Sequence, residues 1–382
     1  MLVAMTRACR KRSGRRVRIL YVDTGLGMAG GQSSLLQILK RLDTSRFSAM
    51  VATPPGSALR ASCKDLGVNW LPLPFESSHL ESDLSRSRLG EVKDLYRCLR
   101  GVHYLARVMR EHDIDIVHAN TFKAALVGGP ACRLAARRLV FHDRICLTHG
   151  ILGRAVASLA DRIIAVSNNV AAKHRGRNRA KVIVVYDGVD TLELIPPAEG
   201  GHRGFVAYLG RISSEKGLHY LVEGAPAVLA AVPDVKFAIG GVPWTPADEA
   251  YLGGLRKRIA ELGLLDRFEF RGYVEDVGTF LSQAAVAVVP SEREGLGIAM
   301  LEAMALERPV VAFRIGGPGE VLSHGKDGIL VDPGDTAGLA AAIVDLIGDS
   351  EKARRMGKVA RRTVVSRFSS EAFARKIMEV YE

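Results

Sequence analysis

The chain has 382 residues, 48% apolar and 25% charged, which excludes a disordered chain, a collagen-like repeat and a small disulfide scaffold and leaves room for two or three domains. No apolar run reaches the ~18 residues that a membrane-spanning helix needs. The net charge of +12 is unevenly placed: residues 1–190 carry 31 Lys and Arg against 15 Asp and Glu, and residues 191–382 carry 22 against 26, so the first half should face something anionic, whether nucleic acid, an acidic lipid surface or phosphorylated substrates.

The chain opens with MLVAMTRACRKRSGRR. Its apolar stretch precedes its charges, the reverse of a signal peptide, so residues 1–15 read as a basic, disordered arm, with an Arg-rich targeting segment as the alternative. Five scattered cysteines with no CxxC suggest neither a zinc site nor a disulfide framework, and a reducing cytoplasm fits them. Short apolar runs then follow: Val17–Val22, Ala49–Thr53, Asn69–Leu73, Ile114–His118, Leu139–Phe141, Ile163–Val166 and Val182–Val185. The second half adds Phe205–Leu209, Val235–Ile239, Phe268–Phe270, Val286–Val289, Pro309–Phe313 and Ile329–Val331. Runs this uniformly apolar predict strands buried on both faces, hence parallel sheets, and the amphipathic stretches between them predict helices.

Thirteen such strands are too many for one ordinary sheet. The Pro- and Gly-rich stretch at 188–203 reads as a linker. The predicted architecture is α/β: a Rossmann-like, doubly wound domain over 16–187, a second over 204–365, a deep cleft between them, and a last helix over 366–382 returning to the first domain. Ligands of such sheets gather at the carboxyl ends of strands, so the loops after strands are where chemistry is sought.

After the first strand, Gly25, Gly27, Gly30 and Gly31 precede a helix expected near Gln32. Glycines there let backbone N–H groups approach a ligand, and a helix start favours an anion. The spacing is not GxGxxG and no acid ends the second strand, which argues against a dinucleotide. After the eighth strand, LGRISSEKG places Arg211 and Lys216 on one loop, a fork and a point charge able to hold a diphosphate. After the eleventh, SEREGLGIAMLEAM spaces Glu294 and Glu302 eight residues apart around Gly295, Leu296, Gly297 and Ile298. Carboxylates there can accept from a vicinal diol, and the intervening helix start can serve phosphates. His118, His142 and His149 stand at or just beyond strand ends. No DxD pair is placed to chelate a metal, so no metal is expected.

Together these segments resemble glycosyltransferase family four in a GT-B fold. The resemblance is carried by GGQSS at 30–34, VFHDR at 140–144, LADRIIAVS at 159–167, VVYDGVD at 184–190, YLGRISSEKG at 208–217, FRGYVED at 270–276, the run from Val288 to Val321, and DGILVDPGD at 328–335. It implies a retaining, metal-independent transferase that uses a nucleotide-diphospho-sugar, a UDP- or GDP-sugar rather than an ADP-sugar, with no other cofactor. Arg211 and Lys216 would then hold the donor diphosphate, Glu302 the ribose hydroxyls and Glu294 the sugar. Amides of Gly295, Leu296, Gly297 and Ile298 would serve sugar and phosphate. Gly30 and Gly31 would close over the phosphate–sugar region, His142 would lie by the reaction centre, and Gly272, Tyr273 and Val274 would receive the base. Many members read GGAER where this chain has GGQSS, on the acceptor side, so the acceptor is not read from the resemblance. A hydroxyl on a lipid-linked or cell-surface glycan is the expected acceptor class.

A nucleotide-sugar epimerase of the same architecture is the alternative, and a non-catalytic polyanion binder a further one. Nucleic acid is not expected as a partner, since no RNA-binding motif occurs and aromatics are 6%. Val92–Met109 reads as an amphipathic helix with Val92, Leu95, Leu99, Val102, Ala106 and Met109 on one stripe and Lys93, Arg97, Arg100, Arg107 and Arg110 elsewhere. With Arg10–Arg18 and Lys173–Lys181, those cations would make a surface suited to an anionic membrane leaflet, placing the protein in the cytoplasm with peripheral contact to the inner membrane face.

Overall fold

The computed structural model describes residues 15–75, 88–148, 150–197 and 204–382, residues 88–95 as backbone only. Residues 1–14, His149 and 198–203 lie outside the described residues, as do the side chains of Val92, Lys93 and Leu95. The chain forms two compact units, residues 1–166, 170–185 and 374–382 in one, and 167–169 and 186–373 in the other.

The first unit holds β1 (Val17–Val22), α1 (Gly30–Lys40), β2 (Phe47–Thr53), α2 (Leu59–Asp65), β3 (Asn69–Pro72), α3 (Arg88–Glu111) and β4 (Ile116–Ala119). It continues with α4 (Phe122–Ala135), β5 (Arg138–Asp143), α5 (Gly150–Leu159), β6 (Arg162–Ala165), α6 (Asn168–Ala172), which starts at the unit boundary, and β7 (Val182–Val184). All strand pairs are parallel, in the order β3-β2-β1-β4-β5-β6-β7. The central strands are sealed: Ile19, Leu20, Val117, Leu139 and Ile163 are wholly buried, as helix-covered parallel strands must be. Thr121 accepts from the Ala124 N–H and starts α4 at the end of β4.

The second unit holds β8 (Phe205–Leu209), α7 (Leu218–Ala231), β9 (Phe237–Gly240), α8 (Pro246–Glu261), β10 (Phe268–Gly272), α9 (Val277–Ser282) and β11 (Ala284–Val289). Then come α10 (Ile298–Ala305), β12 (Val310–Phe313), α11 (Gly316–Val321), β13 (Ile329–Val331), α12 (Thr336–Gly348), α13 (Ser350–Arg367) and α14 (Ser370–Tyr381), whose last residues join the first unit. Its sheet is parallel in the order β10-β9-β8-β11-β12-β13. Thr245 and Asp248 close a capping box with Pro246 in the first turn, which fixes the start of α8.

Three local expectations change. Gly30 and Gly31 form the first turn of α1 instead of preceding it. In α3, Val102, Leu105, Ala106 and Met109 are buried but Leu99 is half exposed, so the buried stripe does not reach Leu99. The first part of the expected linker is packed: the Val189 N–H donates to the Phe368 carbonyl, and Arg361 donates to the carbonyls of Thr191 and Leu194.

Candidate functional site

Each sheet reverses its strand order at one point, between β1 and β4 and between β8 and β11. Loops at such a point diverge and leave room for a ligand at the carboxyl ends.

In the second unit, the loop after β8 carries Arg211, a short turn at Ser214–Lys216, and Gly217 at φ +68°. A Cβ at position 217 would lie 1.9 Å from the Pro290 carbonyl oxygen, so only glycine lets this loop touch the loop after β11. The contact is reinforced where the Glu292 N–H donates to the Glu215 carbonyl at 2.9 Å. Lys216 Nζ then donates to Glu294 Oε2 at 2.7 Å, and Ser291 Oγ donates to the same oxygen at 3.2 Å. The loop after β12 closes from the other side: the Gly317 N–H donates to the Glu294 carbonyl at 3.1 Å, and a Cβ at 317 would sit 2.2 Å from Leu296 Cα.

Arg211 pairs with Glu215, and its guanidinium lies over the Trp244 ring, 5.4 Å from the centroid. The Tyr208 hydroxyl donates to the Arg211 carbonyl at 2.8 Å and holds the loop backbone. Arg211, Ser213, Glu215, Asp248, Glu292 and Arg293 line a polar recess of about 240 Å³. Both loop cations thus already face carboxylates, Arg211 with Glu215 and Lys216 with Glu294.

Glu294, Gly295, Leu296 and Gly297 form the loop into α10, and Ile298 begins the helix, whose first-turn N–H groups have no intrahelical acceptor. Glu302 lies one turn along. It is half-buried, and loss of hydration pushes its carboxyl up to about 7. Gly272 ends β10 at φ +67° and its carbonyl accepts from the Gly241 N–H at 2.7 Å. Tyr273 is exposed, and Val274 packs on Gly240.

Gly30, Gly31 and His142 belong to the first unit, and the other expected site residues to the second. There, Asp23 is wholly buried: one carboxylate oxygen accepts from the Gly25 N–H and Gln32, the other from Asn120 Nδ2 at 2.6 Å. Asn120 Nδ2 also donates to the Gly31 carbonyl at 3.0 Å, and its Oδ1 accepts from Arg144 at 3.1 Å. Arg144 reaches His142 Nδ1, and His142 meets His118. Burial and the Arg144 charge hold both imidazoles neutral, His118 down to about 3 and His142 well below its usual value. Strand-end position flagged His118 and His142 in the sequence; Asp23, just beyond β1, was not singled out. Asn120, Arg144 and Trp244 carried no such signal, because their roles come from pairing across strands and loops. Among the described residues no group of three His, Cys, Asp or Glu is arranged as metal ligands.

Residues 28–192 match the family described as Glycosyltransferase Family 4, and residues 196–363 match Glycosyl transferases group 1. The chain is 31% identical to the lipopolysaccharide core biosynthesis glycosyltransferase LpsE of Rhizobium meliloti, over 74% of this chain and 76% of LpsE. It is 33% identical to the alpha-maltose-1-phosphate synthase of Mycolicibacterium smegmatis over 60% of this chain and 64% of that protein. With the alpha-D-kanosaminyltransferase of Streptomyces kanamyceticus the share of that protein matched is 45%, so the chain spans less than two thirds of either of these last two. The fold is like that of Anabaena HepE, solved with UDP-glucose, at a TM-score of 0.79 and 24% identity over 96% of this chain and 99% of HepE. The chain belongs to glycosyltransferase family 4 and has the GT-B fold.

Proposed function

We propose that the protein transfers a hexose-type sugar from a nucleotide-diphospho-sugar to a hydroxyl acceptor, with retention and without a metal. The observation that carries this is the joining of Arg211, Lys216, Glu294 and the start of α10 on glycine-locked loops at the reversal point of the second sheet. As the bond from sugar C1 to the phosphate oxygen breaks, charge grows on the diphosphate, where two cations and helix-start N–H groups lower its energy. The acceptor oxygen bonds to C1 on the same face, and its proton passes to the departing phosphate oxygen. Glu302 would accept from the ribose hydroxyls, Glu294 from the sugar, and Gly272, Tyr273 and Val274 would take the base. UDP-glucose bound to HepE and the GDP-mannose named for a relative that is 30% identical support a UDP- or GDP-sugar.

Incubation with UDP- and GDP-sugars in excess chelator, with water standing in for the acceptor, tests this directly. Release of nucleoside diphosphate and of sugar with its anomeric configuration kept is expected by early-time NMR. Activity abolished by chelator and restored by magnesium overturns metal independence, and the opposite anomer overturns retention. A new stereoisomer of the intact donor replaces the transferase by an epimerase.

For the acceptor we propose a lipid-linked or cell-surface glycan, met at an anionic membrane on its cytoplasmic face. The basic first half and the lipopolysaccharide and phosphatidylinositol mannoside names of relatives support it. No helix among the described residues is long and apolar enough to cross a membrane. On α3, Tyr96 and Leu99 are exposed beside Arg97 and Arg100, a mixture suited to a headgroup layer, where each cation contributes about 1 kcal/mol. Co-sedimentation with anionic but not zwitterionic vesicles, weakened by salt, is the expected result. No pelleting with anionic vesicles at low salt removes the membrane and leaves a soluble acceptor.

A further inference from the structure

The loop from β5 into α5 holds apolar side chains out in water. Among the described residues sixteen large apolar side chains are exposed, and four of them, Ile145, Leu147, Ile151 and Leu152, fall within positions 145–152. Apolar residues exposed singly are ordinary, whereas a cluster marks a surface that something covers. Ile151, at 79%, is the most exposed of the sixteen. The loop is anchored. Lys173 Nζ donates to the Ile145 carbonyl and, at 3.2 Å, to the Leu147 carbonyl, and it pairs with Asp143 Oδ1 at 2.8 Å. The other oxygen of the buried Asp143 meets His174 Nε2 at 2.8 Å. The backbone of the loop is thus tied inward to a buried ion pair while its apolar side chains stay in water. In α5 itself, Val156 and Ala157 join the core, and Ile151 and Leu152 in the first turn do not.

Cations frame this patch. Residues 144–186 contain eight Lys and Arg and one acid, Asp161. Lys173 and Lys181 are committed to backbone carbonyls, but Arg154, Arg175 and Arg177 are exposed. The basic turn Gly176–Lys181 is tied along α5: Asn178 Nδ2 donates to the Arg154 carbonyl at 3.3 Å, and Lys181 Nζ to the Ser158 and Ala160 carbonyls at 2.8 Å. Arg154 stands about one turn beyond Ile151, and Arg175 directly follows His174, which is paired to the end of β5. Apolar tips with cations close behind them match a layer of anionic headgroups over hydrocarbon. A nucleic acid or a soluble polyanion would use the cations and leave the apolar side chains in water.

We infer that the start of α5 inserts into an anionic bilayer, with Ile151 and Leu152 below the headgroups and Arg154, Arg175 and Arg177 among the phosphates. Amphipathic faces of this kind sink about 5–10 Å into the boundary between headgroups and acyl chains. The inference rests on the membrane contact proposed above and names the segment that enters the bilayer. Ile145 lies three residues beyond His142, at the same end of β5. The bilayer would therefore lie against the end of the sheet where transfer is proposed, and a lipid-borne hydroxyl would meet the sugar at headgroup level.

Ile151→Trp puts a reporter at the tip. Vesicles of phosphatidylglycerol with phosphatidylcholine, and of phosphatidylcholine alone, are added to the full chain, and emission is compared with that of the unsubstituted protein, which has Trp70 and Trp244. The introduced indole is expected to shift to the blue, and to be quenched by bromines on the acyl chains, with the anionic vesicles alone. Anionic vesicles that pellet the protein while the introduced indole neither shifts nor is quenched overturn the inference and leave the membrane contact to α3. No pelleting of the unsubstituted protein at low salt removes the membrane reading and this inference with it. Ile151→Asp combined with Leu152→Asp should weaken partitioning about tenfold or more, because two apolar side chains no longer leave water. Hydrolysis of the donor in water should be unchanged, since neither residue is proposed to touch the donor. Partitioning and hydrolysis both unchanged overturn the inference. Should that variant lose hydrolysis and its fold, the tryptophan variant decides. Light scattering without lipid is expected to show no self-association through this loop. A dimer that the double Asp variant dissociates, with no quenching of the introduced indole on vesicles, replaces the bilayer by a second copy of the chain.

Discussion

Replacing Arg211 or Lys216 by alanine is expected to lower sugar transfer by about two orders of magnitude or more while the fold survives, the loss typical of one preorganised electrostatic contact to developing charge. Arg211 lines the recess and both side chains are partly exposed, and when Lys216 is removed Glu294 keeps its Ser291 hydrogen bond. Glu215→Gln should move donor affinity the other way. It removes the carboxylate that faces Arg211 but keeps the backbone carbonyl that holds Glu292. Nucleoside diphosphate binding should tighten several-fold, because the phosphate no longer competes with an anion. Arg211→Lys should rescue little, since an ammonium neither forks onto a phosphate nor lies flat on Trp244. Calorimetric binding and initial rates on the purified variants check the series. Near-normal turnover in both alanine variants, with unfolding temperatures like wild type, would remove the diphosphate site from this loop.

The strands of both sheets were legible because parallel sheets need apolar residues on both faces, and VRILYV or AVAVVP permits little else. The loops after those strands, bearing Arg211, Lys216 and Glu294, were legible with them, whereas the strand order and its reversal points came only with the fold. Strand pairing carried information that spacing could not. Tyr21, His118 and His142 look unrelated along the chain and become neighbours only once β1, β4 and β5 are placed side by side. Tyr381 was invisible for the same reason: it looks like an ordinary apolar position of a terminal helix until its hydroxyl is seen against His118. The α3 stripe failed at Leu99 because periodicity says which face is apolar but not how far along the helix that face is covered. At the start of α1 the Ala29 N–H donates to Gln32 Oε1 and the Asn120 side-chain amide donates to the Gly31 carbonyl, and in the linker the Val189 N–H donates to the Phe368 carbonyl, contacts that composition does not encode.

Glu302 should separate stability from activity. Its carboxyl ionises at about 7 in the folded protein against 4.5 for an ordinary glutamate, with burial as the cause. A folded value above the unfolded one means the protonated form favours folding. That contribution is complete below 4.5 and is lost as pH rises through about 7, so above neutrality the folded protein carries an ionised, poorly hydrated group. Glu302→Gln removes that cost. The variant should be more stable than wild type at pH 8, by on the order of 1–3 kcal/mol, with the difference shrinking toward pH 4.5. Transfer should nevertheless fall by about 10², because a neutral amide accepts from the ribose diol far more weakly than a carboxylate. The same titration should appear in wild-type donor binding. A nucleotide-sugar diphosphate has no group that titrates near neutrality, so affinity that strengthens several-fold between pH 6 and 8 reports the protein. Glu302→Gln should flatten that rise. Unfolding curves at three pH values and calorimetry with the intact donor give both readings. A carboxylate kept only for structure would show the reverse pattern, with the variant less stable at pH 8 and donor affinity equally pH-dependent in both proteins.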